Sequence, residues 1–198
     1  MITYERVVLA SWAAFLLVWG LSAFGVKRDI RGGYSSLWTS FWAMRFIVAV
    51  FLLLVAMRMS RRHGSGGFLF SNRASLFTPT PALGWPAAAL TAIGIGFAIW
   101  ARVAIGRNWS PRPAVKEQHE LVTSGPYAYV RHPIYTGIIL AALGTALTGT
   151  VFGAIVFVLA IAVFLSRIGK EERIMLGLFP NAYPAYQART KRLVPFIW

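Results

Sequence analysis

Residues 125–137 read GPYAYVRHPIYTG and lie just before a long apolar run, at a predicted membrane boundary. The opening Gly-Pro pair is typical of a turn, and Pro133 prevents a helix from continuing unbroken through His132. The pattern therefore predicts an ordered polar loop that leads into a helix, with Arg131 and His132 held at the rim of the membrane.

The composition around this stretch excludes several classes of protein. The chain has 198 residues, of which 57% are apolar and 13% are charged, and this is too apolar for an ordinary soluble domain. The net charge is +14, but the basic residues lie between apolar runs rather than along one face, which favours membrane topology over nucleic-acid binding. Because there is no cysteine, disulfides, thiolate catalysis and Cys-ligated metals are excluded.

Long apolar runs predict an all-α integral membrane protein, with five transmembrane helices in a single domain of residues 1–198. The predicted spans are residues 7–25, 41–59, 83–105, 134–148 and 150–166. Residues 134–165 as one helix would reach about 48 Å, which exceeds a hydrocarbon core of about 30 Å. The expected break is LTGT at 147–150, so spans four and five should form a helical hairpin. In the third span, Gly94 and Gly96 predict the close approach of a neighbouring helix.

Lys and Arg are unevenly distributed between the two predicted sides of the membrane. The richer side holds the loop after the first span, residues 107–133 and a helical tail of residues 167–198. The positive-inside rule places this side in the cytoplasm and the N-terminus outside. We therefore predict a multi-pass protein, of the inner membrane if bacterial. Its cytoplasmic cofactor-binding portion is made of residues 107–133 and 167–198.

Two signatures resemble the isoprenylcysteine carboxyl methyltransferase family and the related phospholipid N-methyltransferases. The first joins residues 119–123, HELVT, to the opening stretch, and the second runs from Glu171 and Glu172 to Tyr186. The chain departs from the family at Pro180, where glycine is common. The resemblance covers residues 106–195. It implies S-adenosyl-L-methionine bound between the motif loop and the tail, and methyl transfer to a lipid-like or isoprenoid acceptor that enters from the bilayer. Carboxyl methylation is the leading reaction.

The resemblance also implies which residues bind the cofactor. They are His119, Leu121, Val122, Tyr127, Arg131, His132, Pro133, Tyr135, Glu171, Glu172 and Tyr183. The residue types suit the ligand, since Arg131 can pair with a carboxylate and either glutamate can accept from an amine or a ribose. A metal site is not expected, because His119 and His132 lack metal-ligand spacing.

Arg167 and Glu171 are the predicted catalytic residues. A sulfonium methyl is already activated, so correct positioning of the acceptor can supply most of the catalysis. A carboxylate acceptor needs a cation to hold it, and Arg167 lies at the predicted membrane edge. The plainer reading is a helix-surface ion pair between Arg167 and Glu171, worth about 0.3–0.5 kcal/mol. In the same way, Arg131 could be only an interfacial topology marker.

Other functions stay open at this point. An amine acceptor, as in a phospholipid N-methyltransferase, would need a neutral histidine or a carboxylate as a base. A membrane reductase of the sterol type would use NADPH. A non-enzymatic membrane scaffold or transporter subunit is the third class, although the polar residues cluster at one face rather than at mid-membrane. The expected partners are a lipid-like small molecule and membrane lipids, with no nucleic acid and no obligate protein partner.

Overall fold

The computed structural model describes residues 3–22, 29–31, 76–109, 115–116 and 120–195. Within these ranges the regular secondary structure is helical apart from two short strands, which confirms the predicted helical class. Two predictions lie outside the described residues: the second span, residues 41–59, and the cofactor-binding residue His119.

Five α-helices and one pair of strands make up the described fold. The helices are α1 (Tyr4–Ser22), α2 (Pro81–Ile105), α3 (Pro133–Ala146), α4 (Val151–Leu178) and α5 (Ala182–Arg189). The antiparallel strands are β1 (Asp29–Arg31) and β2 (Val115–Lys116), and 3-10 turns cover Gly106–Asn108 and Gly125–Ala128.

The ends of α2 follow from its sequence. Pro81 occupies the first turn, where its missing N–H is not needed, and Thr80 before it is extended. At the other end, Gly106 adopts a φ of 56° and its N–H bonds to carbonyls of the last turn. The helix ends at Ile105, as predicted for the third span.

The predicted break between the last two apolar helices is confirmed. Helix α3 ends at Ala146, and Gly149 turns the chain with a φ of 80°, a conformation that suits glycine. Thr150 then caps α4, because its hydroxyl accepts a hydrogen bond from the Gly153 N–H at 3.1 Å. The two helices therefore form the expected hairpin.

Helix α4 joins the predicted fifth span to the first part of the predicted helical tail. It runs for 28 residues, or about 42 Å, and passes without interruption through the predicted boundary at residue 166. Residues 167–178 contain no proline, so nothing ends the helix before Leu178. The first part of the predicted tail is therefore a direct extension of a membrane helix.

Three of the described helices are long and apolar enough to cross a membrane. They are α1, α4 and α2 together with its 3-10 extension to Asn108. Helix α3 has 14 residues and reaches only about 21 Å, less than a hydrocarbon core of about 30 Å. The arrangement with five spans stays a prediction.

Close packing of α2 on α3 determines where the loop before α3 lies. A Cβ built on Gly94 would lie 2.5 Å from the Ala141 N and 2.6 Å from the Gly137 carbonyl oxygen, so the two backbones touch at Gly94. Gly96 is exposed and has no described neighbour within 4 Å of such a Cβ. The predicted close approach is confirmed at Gly94, and no described residue tests it at Gly96.

Aromatic side chains join α1 to this pair. The buried rings of Phe15 and Trp19 stack with centroids 4.3 Å apart, and Trp19 meets Trp109 edge to face at 5.8 Å. The Trp12 indole N–H donates to the Thr145 hydroxyl at 3.0 Å, which gives a buried polar group its partner. The core of the bundle is thereby continuous with the region after α2.

Candidate functional site

The motif loop, residues 120–132, enters α3 as the sequence predicts. Gly125 has a φ of 60° and begins a 3-10 turn, and His132 is the last residue before the helix. Pro133 occupies the first position of α3 and is fully buried, so it fixes where the loop stops and the helix starts.

A C-terminal strap, residues 190–193, lies along the end of this loop. Val130 forms a parallel bridge with Lys191. The backbone N–H of Arg131 donates to the Lys191 carbonyl at 2.8 Å, and that of His132 donates to the Arg192 carbonyl at 3.0 Å. These bonds fix the last residues of the loop against the strap and satisfy the backbone donors of Arg131 and His132.

Glu172 connects three parts of the chain. From α4, its Oε1 accepts from the Arg131 Nε at 2.8 Å, and its Oε2 accepts from the Arg192 Nε at 3.2 Å. The Arg131 Nη1 donates to the carbonyls of Thr190 and, at 3.3 Å, Gln187. Because Glu172 is only 6% exposed at its side chain, these are charge-assisted bonds in a largely dry setting.

His132 lies between two carboxylates. Its Nδ1 is 3.6 Å from an oxygen of Glu171, and its Nε2 is 3.5 Å from Oε1 of Glu172, an ion-pair distance without hydrogen-bond geometry. Burial by itself would lower the pKa of His132, but the carboxylates of Glu171 and Glu172 raise that pKa above its ordinary value. The imidazole is therefore biased toward its protonated form.

Glu171 is oriented by two residues besides His132. The Tyr135 hydroxyl donates to its Oε1, and the Arg167 Nε lies 3.4 Å from the same oxygen. The ion pair expected between Arg167 and Glu171 is thus present, one helical turn apart on α4. The Tyr135 ring stacks on Phe164 at 4.3 Å, which fixes the hydroxyl that points to Glu171.

A cavity of about 160 Å³ opens between the motif loop, the end of α2, α4 and α5. Its residues divide into a polar set and an apolar set. The polar set is Asn108, Glu120, Tyr127, Arg131, His132, Tyr135, Glu171, Tyr183 and Tyr186, and the apolar set is Ile105, Trp109, Leu121, Val122, Ile134, Ile174 and Met175. Such a cavity can receive a ligand that carries both charged and flat apolar parts.

Most of the predicted binding residues meet at this cavity. Those that line it are Leu121, Val122, Tyr127, Arg131, His132, Tyr135, Glu171 and Tyr183. Pro133, Glu172 and Arg167 do not line it, and each contacts or precedes a residue that does. The assignment of these residues to a ligand stays a prediction.

Some lining residues were not predicted from the sequence. Ile174 and Met175 follow Glu171 by three and four positions, so helical spacing places all three on one face of α4. This periodicity lies within the predicted helical tail and could have been found there. Asn108 and Trp109 offered less, because they follow α2 without a periodic pattern.

Buried Arg102 supports Trp109 in the cavity wall. Its guanidinium lies 4.6 Å from the Trp109 ring centroid, a cation-π distance. Its Nη2 donates to the Ser22 carbonyl at 2.7 Å, and its Nη1 donates to the Gly106 carbonyl at 2.8 Å. Arg102 thus joins the end of α1, the end of α2 and one wall of the cavity.

Two tyrosines of α5 close the other side. The Tyr186 hydroxyl donates to the Tyr127 carbonyl at 2.7 Å, which ties α5 to the motif loop. Burial raises the pKa of Tyr186 to about 12 and raises the pKa of Tyr183 as well. Both phenols are therefore neutral hydrogen-bonding groups at physiological pH.

One segment of the chain is similar to a known protein family. Residues 87–177 match the family model described as the isoprenylcysteine carboxyl methyltransferase (ICMT) family. This segment contains the motif loop, Glu171 and Glu172, so the resemblance predicted from the sequence is confirmed.

Several curated proteins are similar to the same region. A protein-S-isoprenylcysteine O-methyltransferase of Schizosaccharomyces pombe is 39% identical over 101 residues, which cover 49% of this chain and 43% of that protein. Protein-S-isoprenylcysteine O-methyltransferase B of Arabidopsis thaliana is 32% identical over 99 residues, or 48% of this chain and 50% of that protein. The cobalt-zinc-cadmium resistance protein CzcN of Cupriavidus metallidurans is 34% identical over 94 residues, or 46% of this chain and 43% of that protein. The matches thus span about half the length of these relatives.

A solved structure shares the fold. It is that of the eukaryotic intramembrane Ras methyltransferase ICMT, with a TM-score of 0.53 and 23% sequence identity. The match covers 77% of this chain and 53% of that one. At this level of identity, the likeness concerns the architecture.

Proposed function

We propose that this chain, whose residues 87–177 match the isoprenylcysteine carboxyl methyltransferase family, is an integral-membrane methyltransferase that uses S-adenosyl-L-methionine. The acceptor is the carboxylate of a lipid-like or isoprenoid molecule at the membrane–cytoplasm interface. One observation supports this most: Glu171 lines a half-polar cavity, while its ion-pair partner Arg167 lies one turn nearer the membrane on the same helix.

The residues around the cavity fit S-adenosyl-L-methionine. This molecule has a carboxylate, an amine, a sulfonium, a ribose and an adenine. Glu171 supplies a carboxylate for the amine or the ribose, and the apolar set with Trp109 suits a flat adenine. Among the described residues, Arg131 uses its Nε for Glu172 and its Nη1 for the carbonyls of Gln187 and Thr190, which leaves Nη2 for the cofactor's carboxylate.

When bound, S-adenosyl-L-methionine supplies an activated methyl group. The chain itself would hold and orient the reactants. Tyr135 and His132 fix the Glu171 carboxylate, and the buried Tyr183 and Tyr186 limit access of water to that side of the cavity. Such fixed geometry can supply most of the rate enhancement of a methyl transfer.

Arg167 is the proposed residue that holds the acceptor carboxylate. It lies where α4 changes from apolar to charged sequence, so it can meet a lipid-like molecule that arrives from the bilayer. Its side chain is partly exposed and already paired with Glu171, which fixes the guanidinium near the cavity. Glu171 would thus serve both the cofactor and the orientation of Arg167.

The state of His132 favours a carboxylate over an amine acceptor. An amine would have to lose its proton, for which a neutral histidine is the usual base. The two neighbouring carboxylates raise the pKa of His132 and so favour its protonated form, which cannot act as a base. A carboxylate acceptor needs no base.

We also propose the membrane arrangement that suits this chemistry. The chain crosses the membrane five times, with the N-terminus outside and the motif loop and C-terminus in the cytoplasm. The support is the excess of Lys and Arg on the side that carries the cavity. Cytoplasmic exposure gives the cavity access to a soluble cofactor, while the acceptor reaches Arg167 from the lipid.

The decisive experiment measures cofactor binding and methyl transfer separately. Binding of S-adenosyl-L-methionine to the protein in detergent is measured by calorimetry, and single-turnover transfer is followed with labelled methyl and a lipid extract. Release of label by mild base identifies a methyl ester and distinguishes O- from N-methylation. We expect Arg167→Ala to bind the cofactor and lose transfer, and Glu171→Ala to lose affinity first.

Arg173→Ala is the matched control, because Arg173 is exposed on α4 and, among the described residues, its Nε bonds to the Gly169 carbonyl of its own helix. It should leave both measurements unchanged. Absence of binding by the unmodified protein would overturn the proposed cofactor, and binding of NADPH instead would indicate a reductase. Normal methyl transfer by Arg167→Ala would overturn the proposal that Arg167 holds the acceptor carboxylate.

A further inference from the structure

We infer that Glu172 is a positioning residue that docks the C-terminal strap, residues 190–193, onto the motif loop, while the adjacent Glu171 alone faces the ligand. The assignment of the cavity to a cofactor rests on the proposed function. The docking itself rests on contacts within the chain and can be tested without any ligand.

The two glutamates point to different surroundings. Glu171 lines the cavity and contacts Tyr135, His132 and Arg167, whereas Glu172 is absent from the cavity wall. Neighbouring residues on a helix are separated by about 100°, so one can face the cavity while the next faces another element. Glu172 faces Arg131 and Arg192 and is 4% exposed as a residue.

Glu172 provides a side-chain anchor for the strap. The Arg192 Nη2 lies 3.1 Å from the Oε2 of Glu172, and the backbone of Arg192 accepts the His132 N–H. On either side, Thr190 and Leu193 are buried, and the Leu193 carbonyl accepts from the Thr136 hydroxyl at 2.7 Å. The Glu172 carboxylate therefore holds both paired segments, the end of the motif loop through Arg131 and the strap through Arg192.

The pairing gives the strap a direct effect on the cavity. Arg131 and His132 line the cavity, and both donate their backbone N–H groups to the strap. Arg131 also donates from Nη1 to Thr190, so release of the strap would remove one bond of its side chain as well as that of its backbone N–H. Cofactor affinity and strap docking should therefore be coupled, since a ligand that needs Arg131 and His132 in place favours the docked form.

Hydrogen exchange of the detergent-solubilised, ligand-free full chain tests the docking. In Glu172→Gln and in Arg192→Gln, we expect faster exchange at the amides of Arg131 and His132 and in the strap. The expected acceleration is about tenfold, the equivalent of one lost charged hydrogen bond. The effects in the double variant should be less than additive, because both single changes remove the ion pair between Glu172 and Arg192. Arg192→Gln guards against a folding failure, since the Arg192 side chain is 41% exposed.

Two further variants separate docking from ligand contact. Glu171→Gln should leave exchange in the strap unchanged while lowering the affinity for S-adenosyl-L-methionine. Arg189→Gln, an exposed change in the last turn of α5, should alter neither measurement. In Glu172→Gln, cofactor affinity should fall by about tenfold together with the faster exchange.

The outcomes separate the two proposals. Unchanged exchange in both Glu172→Gln and Arg192→Gln would overturn the inference. It would also be overturned if Glu172→Gln lost cofactor affinity with normal exchange, because Glu172 would then be a ligand contact. If the unmodified protein binds no S-adenosyl-L-methionine but exchange responds as expected, the proposed function fails and the docking role of Glu172 stands.

Discussion

Substitution of Gly94 by alanine tests the packing that places the motif loop. The added Cβ would lie 2.5 Å from the Ala141 N and 2.6 Å from the Gly137 carbonyl oxygen, whereas ordinary contacts begin near 3.4 Å. Because both neighbours are backbone atoms, α2 and α3 would have to separate by about 1 Å. Overpacking of this kind costs about 1–3 kcal/mol, and a loss of about 2 kcal/mol would lower the Tm by about 4–8 °C.

The matched control is Gly96→Ala, two residues further along the same helix. Gly96 is exposed and lacks a described neighbour within 4 Å of the new Cβ. Alanine is a better helix former than glycine by about 0.5–1 kcal/mol, so this variant should be as stable as the unmodified protein or slightly more stable.

Thermal unfolding of both variants in the same detergent provides the measurement. The changes in unfolding free energy caused by the two substitutions should have opposite signs or differ by at least about 1 kcal/mol, the lower bound for overpacking. Equal stability of Gly94→Ala and Gly96→Ala would refute the close contact of α2 with α3. A further expected result is weaker cofactor binding by Gly94→Ala alone, since α3 starts at the motif loop.

Three other predictions concern the site and its orientation. The pKa of His132 is raised in the folded chain, so its stabilising contribution should be complete below about pH 6.5 and lost as the pH rises through the raised pKa. The Tm of the unmodified protein should therefore fall as the pH rises through this range, and His132→Asn should reduce that slope. Tyr186→Phe removes the donor to the buried Tyr127 carbonyl and should cost about 1–2 kcal/mol of unfolding free energy, against no change for exposed Tyr129→Phe; equal effects would contradict the assigned hydrogen bond. A reporter fused at the C-terminus should be cytoplasmic and a tag at the N-terminus should be outside, and labelling of both from one side would exclude five spans.

Residues that start, break or cap helices explain which parts of the fold could be predicted. Pro133 set the start of α3, and the Gly149–Thr150 turn set the break in the hairpin, because both act on the backbone within a few residues. The sequence predicted a membrane span that ends at residue 166 and a helical tail after it, but it did not show that span and tail form one continuous helix to Leu178. Polarity determines where a helix leaves the lipid, but it does not end the helix.

The candidate site was predictable in its residues and not in their partners. Composition and motif placed Arg131 and Glu171 on one side of the membrane, and both do line the cavity. The pairing of Arg131 with the C-terminal strap could not be predicted, because residues 131 and 191 are far apart in sequence and their pairing leaves no local pattern. For the same reason, the different surroundings of Glu171 and Glu172 became visible only in three dimensions.

The uninterrupted course of α4 has a consequence for how bilayer thickness acts on the site. Glu171 and Glu172 lie on the same continuous helix as the apolar residues that precede Arg167, with no break between the charged part and the apolar part. Helices adjust to thinner or thicker bilayers by changing their tilt. The glutamates lie roughly 20 Å along the axis from the middle of the apolar part, so a change of about 10° would displace them by roughly 3–4 Å against a fixed motif loop. Acyl-chain length should therefore influence cofactor affinity even where lipid never touches the cavity.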